Sequence, residues 1–102
     1  MNLRAKDTLN RIKDLIKAVI SLVDEFSKTT AAFKIAGQII DSVTSIGANF
    51  VEVQSARSKK EFISTMGIVL KEAKETLFWL EIIQELNCIG SDRYDTPVKF
   101  VK

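Results

Sequence analysis

The chain has 102 residues, room for one domain with one core, and its 46% hydrophobic and 27% charged residues with one proline and four glycines are the composition of a folded helical protein. A chain disordered as a whole is excluded and turn-rich β architecture is disfavoured. The net charge of +2 does not identify a nucleic-acid binder, so an electrostatic case must rest on where the charges sit. They are uneven: residues 1–17 hold Arg4, Lys6, Arg11, Lys13 and Lys17 against Asp7 and Asp14, while Glu72, Glu75, Glu81 and Glu85 crowd the region before Cys88. Cys88 is the single cysteine, so no intrachain disulfide forms. The first residues lack the apolar run of a signal peptide, and no segment approaches the ~20 apolar residues of a membrane span. A reduced, bacterial-cytoplasm-like setting with no membrane partner is expected.

From Leu9, apolar residues fall at Leu9, Ile12, Ile16, Val19, Val23 and Phe26 in steps of three and four, the signature of an amphipathic helix over about 4–28. The phase then breaks near Ser27 to Thr30, where Thr29 or Thr30 can act as an N-cap. A second helix over about 30–54 carries Ala32, Ala36, Ile39, Val43, Ile46, Phe50 and Val53 on one stripe. Interior Gly37 and Gly47 each cost about 1 kcal/mol relative to alanine, which suggests a close approach of another backbone. Beside the stripe Ser45, Asn49 and Glu52 lie at i, i+4 and i+7. They fit a structural polar network better than a ligand site.

The corner from Ser42 to Phe62 joins the second helix to a third over about 58–88, with Ser58 and Glu61 at capping-box spacing. The third helix shows Ile63, Met66, Leu70, Ala73, Leu77 and Leu80, with Phe62, Val69 and Ile83 on an adjacent stripe and Phe78 and Trp79 beyond. So wide an apolar surface usually marks an interface. Asn87 and Gly90 supply a stop, and Pro97 prevents a full fourth helix in the short tail 89–102. There Val98, Phe100 and Val101 are expected to pack on a groove or stay disordered. The fold class is therefore all-α, an up-and-down antiparallel helical bundle of four-helix-bundle type with three long helices and an irregular tail, in a single domain 1–102.

No catalytic constellation is visible. The chain has no histidine, which removes Ser-His-Asp and Cys-His arrangements and the Glu-x-x-His pairs of di-iron bundles. Glu72 and Glu75 read as a face solvated or paired with Lys71 and Lys74, and Cys88, near a helix C-terminus, is a poor thiolate. Trp79, Phe78 and Tyr94 fit a core or subunit interface better than base stacking. The cluster Arg57, Lys59 and Lys60 is less ordinary, because cations at a helix start oppose the macrodipole. It reads either as a phosphate site or as a plain solvated turn.

In Thr44-Ser-Ile-Gly-Ala-Asn-Phe-Val-Glu52, Ser58-Lys-Lys-Glu-Phe-Ile63 and Leu70-Lys-Glu-Ala-Lys-Glu-Thr-Leu-Phe-Trp-Leu80, the chain resembles the bacterial four-helix-bundle family of the 23S ribosomal RNA intervening-sequence protein. The match covers about residues 30–86. That family includes the accessory variability determinant protein of diversity-generating retroelements, a ring of five bundles that binds nucleic acid and partners a reverse transcriptase. The resemblance implies a non-enzymatic homo-oligomer, five subunits favoured; from the residues themselves, no cofactor and no metal is expected. Its partners would be RNA or DNA and, for the retroelement type, a reverse transcriptase. Arg57, Lys59 and Lys60, helped by Arg4, Lys6, Arg11 and Lys13, are the expected nucleic-acid-binding residues. A protein-interaction scaffold with no nucleic-acid role is the alternative. The family's usual fourth helix has no counterpart of full length here.

Overall fold

The computed structural model describes residues 1–88 and is a rod of 51 × 23 × 23 Å. It contains α1 (Leu3–Val23), α2 (Thr30–Val53) and α3 (Lys59–Leu86), and no strand-built sheet among the described residues. The expected residues of the tail, Tyr94, Val98, Phe100 and Val101 among them, lie outside the described residues, as does Gly90.

Each helix starts on a side-chain cap. The Oδ1 of Asn2 accepts from the Ala5 N–H at 2.8 Å, and the Oγ1 of Thr29 from the Ala32 N–H at 3.1 Å. Ser58 does the same for Glu61 at 3.0 Å. α3 stops at Asn87, whose left-handed backbone (φ 52, ψ 61) is one of the few non-glycine conformations that close a helix cheaply. α1 ends five residues before the expected boundary. The apolar pattern runs on through Phe26, but the backbone has already turned at Asp24, and the Ser27 N–H bonds the Cys88 carbonyl at 2.6 Å. Phe26 therefore reaches the core from a loop.

α2 is the central element. It contributes Ala32, Ile35, Ile39, Val43, Ile46, Phe50 and Val53 to the buried core, with Ile39 and Val43 fully buried. α1 covers one flank through Ile12 and Val19, and α3 the other through Val69, Thr76 and Ile83. No Cα of α1 comes within 8 Å of one in α3, so the two outer helices flank α2 with a groove between them. This is a three-helix arrangement; the four-helix form is absent from the described residues.

Two expectations need correction. Ile63, Leu70 and Leu77, placed by their spacing on the main stripe of α3, are 60%, 59% and 59% exposed. The stripe that meets α2 is the adjacent one at Val69, Thr76 and Ile83, because α3 has two apolar stripes and only one helix to pack on. Of the glycines, Gly47 does sit at a close approach, but to side chains: a Cβ there would lie 3.1 Å from Ile16 Cδ1 and 3.4 Å from Ile12 Cγ2. Gly37 faces open space.

Candidate nucleic-acid interface

Up-and-down topology sets the first helix parallel to the third, so both begin at the end of the rod where α2 stops. α1 opens with Arg4 and Lys6, and α3 with Lys59 and Lys60 just after Arg57. Neither helix start gains from these cations, which lie near the positive end of its own dipole and cost a few tenths of a kcal/mol each. All five side chains are exposed and none forms an ion pair among the described residues. Arg11 and Lys13 stand further along α1, away from this end. Arg11 is engaged by Asp7 at 3.2 Å, an exposed i,i+4 pair of little energetic weight.

The capping box at the corner differs from the expected form in one bond. Ser58 Oγ caps Glu61, but the Oε2 of Glu61 accepts from the N–H of Arg57, one residue before the cap, at 3.1 Å. Two of the backbone donors at this corner are thus already taken, the Arg57 N–H by the Glu61 carboxylate and the Glu61 N–H by Ser58. What the corner offers an anion is its side-chain cations, more than the free N–H groups of a helix start.

Ser45, Asn49 and Glu52 do not bond one another through their side chains. Asn49 Nδ2 donates to the backbone carbonyl of Ser45 at 2.9 Å, and Glu52 is exposed. The buried polar link between helices is one the sequence reading missed: Thr76 Oγ1 lies 2.8 Å from Ser42 Oγ and 2.9 Å from the Glu72 carbonyl, and Ser42 Oγ donates to the Ile39 carbonyl at 3.2 Å. Thr76 lying seven residues from both Val69 and Ile83 was the available signal. Glu72 and Glu75 are half-buried and form no ion pair with Lys71 or Lys74. Phe78 is about half exposed and meets Trp79 edge to face at 5.0 Å, while Trp79 packs against the core with its Nε1 buried and unpartnered among the described residues. Burial pushes the Cys88 thiol above its ordinary value, which keeps it protonated and unreactive.

At the basic end a cavity of about 280 Å³ opens in the groove between α1 and α3. Phe50 and Val53, both buried, form its floor, and Ala5, Phe62 and Met66 its apolar walls. Asn2, Arg4, Thr8 and Gln54 supply its polar edge.

An all-α rod with a basic end and no constellation of metal ligands among its described residues is a helical-bundle protein whose surface, more than any enclosed centre, carries its chemistry. Residues 5–99 match the family model of the 23S rRNA-intervening sequence protein, and the chain belongs to that family. It is also similar to a crystal structure of a protein with unknown function from the S23 ribosomal protein family of Bacteroides thetaiotaomicron. The identity is 33% over 95% of this chain and 83% of that one, with a TM-score of 0.57. No curated protein matches. No helix among the described residues is long and apolar enough to cross a membrane.

Proposed function

We propose that the protein is a non-enzymatic, oligomeric accessory factor that binds RNA or DNA with little sequence preference, of the 23S rRNA intervening-sequence or retroelement accessory type. The observation that carries this reading is the gathering of Arg4, Lys6, Arg57, Lys59 and Lys60, exposed and free of ion pairs, at one end of the rod. Side chains of that kind engage phosphates without reading base edges. Oligomerisation multiplies the effect. The exposed stripe of α3 is a surface for a further helix from another copy, which would complete a four-helix packing, and five copies are the favoured count. In a retroelement setting the protein partner would be a reverse transcriptase.

The exposed stripe also favours a second reading, a protein-interaction scaffold with no nucleic-acid role. Fluorescence anisotropy with unrelated RNA and DNA oligonucleotides separates the two. Binding at about 50 mM salt that weakens steeply toward about 200 mM, with similar affinities for unrelated sequences, is the expected result. No binding at the lower salt would leave the scaffold.

A further inference from the structure

We infer that the cavity between α1 and the α2–α3 corner receives one unstacked base of a single-stranded RNA or DNA, with Phe62 as its stacking platform. The inference rests on the nucleic-acid reading and gives it a local chemistry.

Phe62 is 48% exposed although it lies one turn into α3 beside a buried apolar floor of Phe50 and Val53. A half-exposed aromatic ring lining an open hollow suits a flat partner, and stacking on a base is tolerant of sequence because every base has a π-face. The cavity lies near the small end of the range for ligand sites, which suits a single ring system and not a helix or a lipid chain. Its edge carries both kinds of hydrogen-bonding capacity that a base edge needs. Asn2 spends its Oδ1 on the Ala5 N–H, leaving its amide protons as donors. Gln54 donates one amide proton to the Phe50 carbonyl at 3.1 Å, leaving its oxygen as acceptor. Thr8 donates to the Arg4 carbonyl at 3.1 Å and keeps its lone pairs. Arg4, exposed and without an ion pair, lines the same cavity. Its guanidinium can take the phosphate next to the inserted base, with Lys59 and Lys60 on the adjoining helix start continuing the backbone track.

The test uses the full chain and three probes of equal length: a mixed-sequence single strand, the same backbone with abasic sites, and a duplex. The wild type should bind the single strand about tenfold more tightly than the abasic strand, the size of one base–aromatic stack, and 2-aminopurine placed in the strand should change its fluorescence on binding. Phe62→Ala and Phe62→Leu should each lose about that tenfold without changing the salt slope, and Phe62→Tyr should retain it. If salt-dependent binding persists but the abasic strand binds as well as the intact one, or Phe62→Leu binds like the wild type, the base pocket is wrong and a backbone-only interface stands. If no probe binds at low salt, the nucleic-acid reading fails as well. A change in particle mass on Phe62→Ala, read by light scattering, would make the cavity a subunit contact and overturn the inference.

Discussion

Ser42 and Thr76 show how little polarity the α2–α3 seam tolerates and on what terms. Both hydroxyls are buried and each has a partner within its own helix as well as across the seam, so removing one leaves the other bonded to a backbone carbonyl. Thr76→Val should therefore cost only about 1 kcal/mol, and the Ser42→Ala/Thr76→Val double variant should cost less than the sum of the singles. Urea denaturation of the four proteins closes the cycle; strict additivity would mean that the hydroxyls do not communicate. The glycines give a second contrast. At Gly37 an added methyl meets nothing, so Gly37→Ala should stabilise by up to about 1 kcal/mol through helix propensity alone. At Gly47 the same methyl would lie 3.1 Å from Ile16 Cδ1, which must give by a few tenths of an ångström, so the gain should be smaller than at Gly37. Cys88 adds a pH dependence. Its thiol pKa is raised in the folded state by burial, so the favourable contribution of the neutral thiol is fully present below 9.0 and is lost as pH rises through the raised value. Denaturation from pH 7 upward should lose more stability in the wild type than in Cys88→Ala, and equal declines would remove the thiol from the account.

Among the elements, α2 was legible almost to the residue because one stripe, one threonine cap and a polar corner agree over its whole length. α1 was overextended for a physical reason: apolar periodicity records which residues enter the core and not whether the chain is still helical when they do. Phe26 enters from a loop. In α3 the sequence offered two candidate stripes, and periodicity cannot choose between them without knowing how many neighbours the helix has. Arg57, Lys59 and Lys60 stand together in the sequence itself, whereas the cavity that Arg4 lines with Phe62 and Met66 depended on the parallel placement of α1 and α3. The stripe left outside makes a prediction at this scale. Ile63, Leu70 and Leu77, at heptad spacing with Ala73 between the last two, are exposed and form one line on which a partner helix could pack, while Met66 and Leu80 beside them already lean on the core. Leu70→Gln with Leu77→Gln, two well-exposed positions, should leave the monomer's stability within about 0.5 kcal/mol at each site. It should, however, shift the particle toward the 11.4 kDa monomer by light scattering. A wild type that is already monomeric at micromolar concentration would dismiss the oligomer.

At the scale of the whole molecule, one protomer at +2 attracts a polyanion weakly, whereas the proposed assembly of five would carry 5 × 2 = +10 and repeat the basic end five times. Avidity then does what single-site affinity does not, provided that the repeated ends can engage one strand together. If the assembly neutralises ~6 phosphates of a single strand, log K should fall with log salt with a slope of about −4. Replacing Arg57, Lys59 and Lys60 by glutamine should flatten that slope with the particle mass unchanged, since all three are exposed at or just before the start of α3 and off the apolar stripes. Glu61 makes the sharper test. Its carboxylate caps Arg57 and lies among the cations, so it competes with any incoming phosphate. Glu61→Gln keeps an acceptor for the Arg57 N–H while removing one negative charge per protomer. It should raise affinity several-fold at low salt, and at high salt, where screening has already weakened the repulsion, the gain should shrink. A simple loss of the cap would lower helicity without favouring the polyanion. Unchanged affinity in Glu61→Gln, together with an unchanged slope in the triple variant, would place the nucleic acid away from this corner.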